Sequence, residues 1–410
     1  MPISPGLVQF CNCRILYHGE ILREDFWVRN GKIMNPEKLF YDEKVTAEKQ
    51  IDCDNMLIVP GYIDVQINGG FGYDFSSNIE VFSEGLDVVS KGLLQHGVTS
   101  FCPTLVTSPV NVYRQVLPKL KRRPGGKHGA EIIGAHCEGP FINCKKKGAH
   151  DESYIKTDVS DGLDSFINTY GSLENVSIIT VAPEIPGIND CIKQLVEKNI
   201  VVSIGHSMGN LTDGEKSVCN GASFITHLFN AMLPFHHRDP GIVGVLTSLI
   251  TPKQAFYGLI SDGIHTHPTA LRIAQRSHPK GIVLITDAIA ALGLPPGEHK
   301  LGTMDLVIDD KVARIKGTDT LAGSISSMDK CVRHFKKGAG CGVVEAIEAA
   351  TLHPAQMLVI TDRKGTLDHD TDADFIFLDD NLAVHATFIA GEPVWINENS
   401  PMAKLNNFYK

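Results

Sequence analysis

The run Ile200-Val201-Val202-Ser203-Ile204-Gly205-His206, followed after one helical segment by Ala222-Ser223-Phe224-Ile225-Thr226-His227, decides the fold. Each is a short apolar stretch, rich in β-branched residues, with a histidine at its trailing end. The same unit recurs on both sides. Runs of this kind occupy 57–67, 98–106, 131–137, 176–182, 200–204, 222–226, 254–260 and 281–286, each followed by a segment of helical periodicity. Between Ser83 and His96, for example, Leu86, Val89, Leu93 and Leu94 form one stripe. The mean spacing of the runs is about 32 residues, the size of one βαβ unit. Eight such units close into a parallel TIM-type (β/α)8 barrel. An open, doubly wound α/β sheet would carry a glycine-rich phosphate loop, and neither G-x-G-x-x-G nor G-x-x-x-x-G-K-[ST] occurs.

Outward from the barrel, segments 8–16, 20–28, 374–378 and 383–395 are short, alternating and interrupted by Gly, Asp or Asn, and read as strands. They lie at both chain ends, so the economical arrangement is one small β-sandwich from 1–59 and 363–410 beside a barrel spanning 60–362. The Asp309–Asp310 turn inside 304–316 predicts a hairpin inserted after the eighth strand.

Composition narrows the function. A chain of 410 residues, 43% hydrophobic and 21% charged, can bury a large core and is neither disordered nor a coiled coil. Its net charge of −9 excludes the basic surface that holds nucleic acid by counterion release. No apolar run approaches the roughly 18 residues of a membrane span, and 1–10 lacks a basic and then apolar leader, so a cytosolic protein is expected. Ten cysteines without a C-x-x-C pair read as reduced thiols, with Cys11-Asn12-Cys13 at a strand edge. The basic stretches 119–123 and 145–147 are short enough to be solvated surface.

In a barrel the trailing ends of the strands carry the chemistry. Glu138 with His136, His206, His227, Asp262 with His265, and Asp287 all stand at such ends. Glu138, His206 and His227 follow the third, fifth and sixth runs. Three protein ligands with one open position are what a catalytic divalent ion needs. One carboxylate and two imidazoles suit zinc, iron, cobalt and manganese alike, with zinc taken as the first candidate. Asp287 follows the eighth strand directly. Its carboxylate would either act as general base at the mouth or cap a helix beginning at Ala288.

Several strings then resemble one family. His136-Cys137-Glu138-Gly139-Pro140-Phe141, Lys147-Gly148-Ala149-His150, Gly205-His206-Ser207, Thr226-His227-Leu228-Phe229-Asn230-Ala231-Met232 and Leu321-Ala322-Gly323-Ser324 are similar to the N-acetylglucosamine-6-phosphate deacetylases of the metal-dependent amidohydrolase superfamily. The likeness begins at Pro60-Gly61-Tyr62-Ile63-Asp64 and covers nearly the whole chain. It implies removal of acetate from a phosphorylated amino sugar, with one divalent metal ion per subunit on Glu138, His206 and His227 and Asp287 as catalytic acid/base. It further implies substrate contacts at Ala149, His150, Asn230, Ala231, His237, Arg238, Asp262, Gly263, Ile264, His265, Leu321, Ala322 and Gly323, and a homodimer in which His237 and Arg238 reach the neighbouring subunit's site. Arg238 offers the planar donor fork that suits phosphate. His150 is a candidate donor to the oxyanion.

One departure concerns the first strand, which in the wider superfamily ends in His-x-His for a second metal. Here Gln66 and Asn68 stand there, and amides are poor ligands for such ions, so a single ion is expected. The two amides would hydrogen-bond water or substrate. A cyclic-amide hydrolase or nucleobase deaminase would use the same barrel, but the two-metal cyclic amidases resemble one another in a bridging lysine after the fourth strand, where this chain has Ala182-Pro183-Glu184. A non-catalytic scaffold would have lost ligands or the aspartate, and all four are present.

Overall fold

The computed structural model describes residues 1–77, 79–301, 304–309, 312–319 and 321–408. Its centre is a run of eight parallel strands: β1 (Tyr62–Ile67), β2 (Val98–Val106), β3 (Ala135–Glu138), β4 (Val176–Val181), β5 (Val201–Ile204), β6 (Phe224–Ile225), β7 (Phe256–Ile260) and β8 (Ile282–Ile285). Each pairs in parallel with the next. The seam between β8 and β1 closes the cylinder: Asp287 N donates to Gln66 O at 2.9 Å and Asn68 N to Ala288 O at 2.8 Å. Thr286 Oγ1 also donates to the buried Asp64 carboxylate at 2.6 Å.

Two apolar layers follow from the strand alternation. Ile63, Val65, Cys102, Ile178, Phe224, Ile260, Val283 and Ile285 form a cluster inside the barrel. Val89, Leu93, Ile179, Ile188, Leu195 and Leu284 belong to the larger layer between strands and helices. Above the inner layer the lining turns polar. His136, Thr180, Thr226 and Ser203 form a buried hydrogen-bonded chain at 2.5–2.8 Å.

The first run departs from its expected form, because 57–67 is two strands rather than one. Leu57–Pro60 leaves the barrel and pairs with Arg14–Tyr17 and Phe375–Leu378. The break falls at Gly61, where a Cβ would sit 2.2 Å from the Thr99 side chain. The third run is also interrupted, by Gly134 at φ 137°. The terminal segments form two sheets. One orders Lys32–Ile33, Phe26–Arg29, Ile3–Cys11 and Thr46–Asp52; the other has six strands and includes both chain ends. Segment 8–16 therefore contributes to both sheets, turning at Asn12 with φ 54°. Between them Phe10, Phe26, Phe375, Phe377 and Phe388 pack, with Phe10 edge-on to Phe375 at 5.3 Å.

After β8 the chain does not begin the helix expected at Ala288. It runs into an antiparallel sheet of Gly297–Leu301, Met304–Ile308, Ala313–Ile315 and Leu321–Gly323. Helical structure resumes only at Met328–Phe335. The expected hairpin is the antiparallel pair Met304–Ile308 and Ala313–Ile315. Asp310 of its turn lies outside the described residues.

Candidate active site

Period two carries an inward face from the apolar lining to the mouth. On β3 it places His136 and then Glu138 on the inside, and on β8 Val283, Ile285 and then Asp287. His206 and His227 stand two residues beyond the ends of β5 and β6. His206 (φ 48°), His227 (φ 26°) and Asp287 (φ 46°) all occupy the left-handed region, as do Phe229 and Ala231. Residues with a Cβ enter this region at a cost, and such strain concentrates at functional sites.

Glu138, His206 and His227 converge. Glu138 Oε1 lies 3.0 Å from His206 Nε2 and 3.1 Å from His227 Nε2, and the two nitrogens are 3.0 Å apart. All three residues are buried. Burial alone would raise the Glu138 carboxyl, but the two imidazoles hold it well below the ordinary carboxylate range. His206 Nδ1 faces the Lys146 carbonyl at 2.8 Å, which makes Nδ1 the protonated nitrogen and turns the Nε2 lone pair inward. Lone pairs converging at 3 Å repel unless a cation lies among them. A tetrahedral ion with bonds of about 2.1 Å needs ligand atoms roughly 3.4 Å apart, so this triangle fits a divalent metal after a shift of a few tenths of an ångström. It is the metal-capable cluster of His, Cys, Asp and Glu found among the described residues. His136, although next but one to Glu138, is spent elsewhere, between Val65 O and Thr180 Oγ1.

Gln66 and Asn68 hydrogen-bond two carboxylates. Gln66 Nε2 donates to Glu138 Oε1 at 2.8 Å and reaches Asp287 Oδ1 at 3.5 Å, while Asn68 Nδ2 donates to the same Asp287 oxygen at 2.7 Å. The first strand thus holds two carboxylates side by side. Gln66 Oε1, Asn68 Oδ1 and His227 Nδ1 are buried without a hydrogen-bond partner among the described residues. Burial, with the Glu138 charge second, raises Asp287 to about 7. No helix starts at Ala288, so Asp287 caps nothing and its carboxylate is available at the mouth.

His150 stands beside the cluster, its ring 4.5 Å from that of His206. Its Nδ1 accepts from Thr107 N at 3.2 Å and Thr107 Oγ1 at 2.7 Å. A nitrogen accepting a backbone N–H carries no proton, so the neutral ring bears its hydrogen on Nε2. Burial keeps it neutral, lowering it to about 3. Gly139 makes room for this pair, since a Cβ there would meet Thr107 Oγ1 at 2.3 Å. Asp262 folds around its own loop, accepting from Ile264 N, His265 N and His265 Nδ1 at 2.6–2.8 Å. Burial opposes a charged His265, but the Asp262 carboxylate prevails and raises it. Gly263 is exposed, with φ 81°. Thr107 carries no motif, and only its place after the second run could have marked it.

The remaining expected contacts surround the mouth less closely. Ala149 is exposed next to His150, and Asn230 and Ala231 are half-buried just beyond His227. Leu321–Gly323 is the last strand of the inserted sheet, brought to the β8 end by the bridge between Ala288 and Ser324. His237 and Arg238 lie exposed on loop 233–240 and make no ion pair among the described residues. No helix among the described residues is long and apolar enough to cross a membrane.

The chain is similar to known proteins along nearly its whole length. The amidohydrolase family model matches residues 57–394. The chain is 55% identical over 391 residues to the N-acetylglucosamine-6-phosphate deacetylase of Danio rerio, covering 95% of this chain and 97% of the relative. It is 54% identical to that of Homo sapiens, covering 95% and 96%. Among solved structures it is similar to an Asp-to-Ala mutant of the Mycobacterium smegmatis N-acetyl-D-glucosamine-6-phosphate deacetylase in complex with N-acetyl-D-glucosamine-6-phosphate, at 27% identity and a TM-score of 0.79, covering 95% of this chain and 98% of that one.

Proposed function

The chain belongs to the amidohydrolase family and, within it, to the N-acetylglucosamine-6-phosphate deacetylases, and from that premise we propose that it hydrolyses the acetamide of N-acetyl-D-glucosamine 6-phosphate to D-glucosamine 6-phosphate and acetate by the route its mouth geometry allows. The observation that carries the reading is one amide nitrogen, Gln66 Nε2, reaching both the carboxylate of the Glu138–His206–His227 cluster and the carboxylate of Asp287. That contact supports reading the two carboxylates as an ion ligand and a proton acceptor that work side by side.

Glu138, His206 and His227 would hold one divalent ion per subunit, zinc by preference. When bound, it supplies a Lewis acid and a water of lowered pKa. Asp287 takes the proton from the attacking water and later delivers one to the departing nitrogen. The water oxygen bonds to the acetyl carbon, the carbon–nitrogen bond breaks, and acetate and the sugar amine result. His150 Nε2–H, fixed by Thr107, donates to the carbonyl oxygen as charge develops on it. Asn230, Ala231, His265 with its Asp262–Ile264 loop, Ala149 and Leu321–Gly323 shape the sugar pocket. Arg238 and His237 bind phosphate, which adds binding energy remote from the reacting amide.

Phe235, on the loop that carries His237 and Arg238, is exposed. One exposed aromatic ring beside two phosphate donors supports a homodimer in which this loop completes the neighbouring site. All ten cysteines are unpaired, in keeping with a reducing cytosol. The test is amine release from N-acetylglucosamine 6-phosphate, the unphosphorylated sugar and a dihydropyrimidine, with metal analysis of purified wild type and Glu138→Gln. Hydrolysis of the phosphorylated sugar alone, with metal lost in the variant, is expected. A metal-free active enzyme, or preference for the cyclic amide, overturns the reading. Mixing inactive Arg238→Ala and Asp287→Asn chains should restore activity if the loop acts across the interface; no restoration refutes that arrangement.

A further inference from the structure

Glu184 follows the fourth strand and belongs neither to the metal cluster nor to the substrate contacts, yet its carboxylate accepts three hydrogen bonds at the mouth. Oε1 accepts from Asn143 Nδ2 at 2.9 Å and from Met208 N at 2.7 Å, and Oε2 accepts from Ser207 Oγ at 2.5 Å. Ser207 Oγ in turn accepts from Gly209 N at 2.7 Å. Gly209 is needed at this clasp, because a Cβ there would lie 2.9 Å from Ser207 Oγ and 3.2 Å from Glu184 Oε2. One carboxylate thus ties the loop after β3 to the loop after β5.

His206 sits between those ties. Its carbonyl accepts from Asn143 N at 2.9 Å and its Nδ1 faces Lys146 O at 2.8 Å. Both contacts come from the 143–147 loop, which continues to Ala149 and His150. Its backbone is also held at φ 48°, a conformation the neighbours must impose. We propose that Glu184 is a positioning residue that orients His206 toward the ion and couples that orientation to the substrate-facing loop. The proposal rests on the reading of His206 as a metal ligand.

The test measures zinc affinity of the full-length metal-free protein by competition with a chromophoric chelator, alongside turnover and thermal unfolding. Glu184→Ala should weaken zinc binding by about 10- to 100-fold, the usual cost of losing an outer partner of a ligand, while the metal-free protein unfolds near the wild-type temperature. Glu184→Gln keeps Oε1 for Asn143 and Met208 and can donate to Ser207 Oγ, so it should recover most of the affinity. Glu184→Asp, one methylene short, should not. Adding Asn143→Ala to Glu184→Ala should cost little more, since both cut one tie. Zinc affinity within twofold of wild type in Glu184→Ala, or equal losses in the Gln and Asp variants, overturns the proposal. If Glu184→Ala does not fold, the Gln and Asp pair decides. A wild-type protein that binds no zinc or other divalent ion would instead bring down the metal reading beneath it.

Discussion

At the base of the barrel, where its strands start and the terminal sheets join, charge is buried and fully answered. Lys364 meets Glu131 at 2.9 Å, Asp372 at 3.1 Å and Asp374, and Arg363 reaches Glu131 and Asp372. At the mouth, buried polar atoms of Gln66, Asn68 and His227 lack partners among the described residues, and two imidazole nitrogens crowd a carboxylate. Both ends bury ionisable groups. The base uses them in closed pairs that join two parts of the fold, whereas the mouth leaves valences open for something that is not protein. Unsatisfied atoms gathered around one carboxylate, rather than buried charge or single orphans such as Tyr62 Oη and Ser100 Oγ, therefore mark the site.

The sharpest way to break this contrast is to remove a proton carrier at the mouth. Asp287→Asn should lower turnover by about 10³-fold or more while leaving bound metal and thermal stability near wild type. In the wild type Asp287 must be ionised to accept a proton, so kcat/KM should fall as pH drops through its acid limb. Burial places that limb near 7, and a bound cation draws it lower. The limb should be absent from the residual activity of Asp287→Asn. A pH-rate series on both proteins checks this, and an unchanged limb in the variant assigns it to another group.

The converse operation at the base should move stability and leave chemistry alone. Lys364→Met leaves the buried Asp374 and Glu131 carboxylates without their ammonium, and breaking such a pair costs about 3–5 kcal/mol. Urea unfolding should register that loss while kcat per folded molecule stays within twofold. A change below 1 kcal/mol would mean Arg363 and solvent suffice, and the contrast between the ends would lose its meaning. Next in size is His150→Ala. Removing one donor to the developing oxyanion should cost about 10²-fold in kcat, with little change in KM, measured by steady-state amine release.

What could be read from the chain follows the same division. The gathering of Glu138, His206, His227 and Asp287 at the mouth was legible because an apolar period ended and a polar, ligand-type side chain followed, and a barrel brings its strand ends together. The break at Gly61 was not legible, because the Thr99 side chain that forbids a Cβ there is distant in sequence. The helix expected at Ala288 gave way to an inserted sheet, since Ala-Ile-Ala-Ala is equally suited to a buried bridge against Ser324. Gln66 and Asn68 were expected to hydrogen-bond water or substrate. Their role as donors to Glu138 and Asp287 depends on a cross-barrel geometry that local pattern does not contain. Glu184 and Thr107 were invisible as actors for a related reason: each works through another residue's orientation.

Thr107 allows the finest test of the comparison. Two donors meet His150 Nδ1, the Thr107 hydroxyl at 2.7 Å and the Thr107 backbone N–H at 3.2 Å. Thr107→Val removes the shorter bond in nearly the same volume and keeps the backbone donor, so the tautomer survives but the ring is held less firmly. A single hydrogen bond of this kind is worth about 0.5–1.5 kcal/mol, which corresponds to a fall in kcat of about two- to tenfold. The loss should be the same at every pH where Asp287 is ionised, because His150, lowered to about 3, stays neutral throughout. A loss that grew toward low pH would show instead that Thr107 keeps His150 from protonating, giving the hydroxyl an electrostatic role in place of a geometric one.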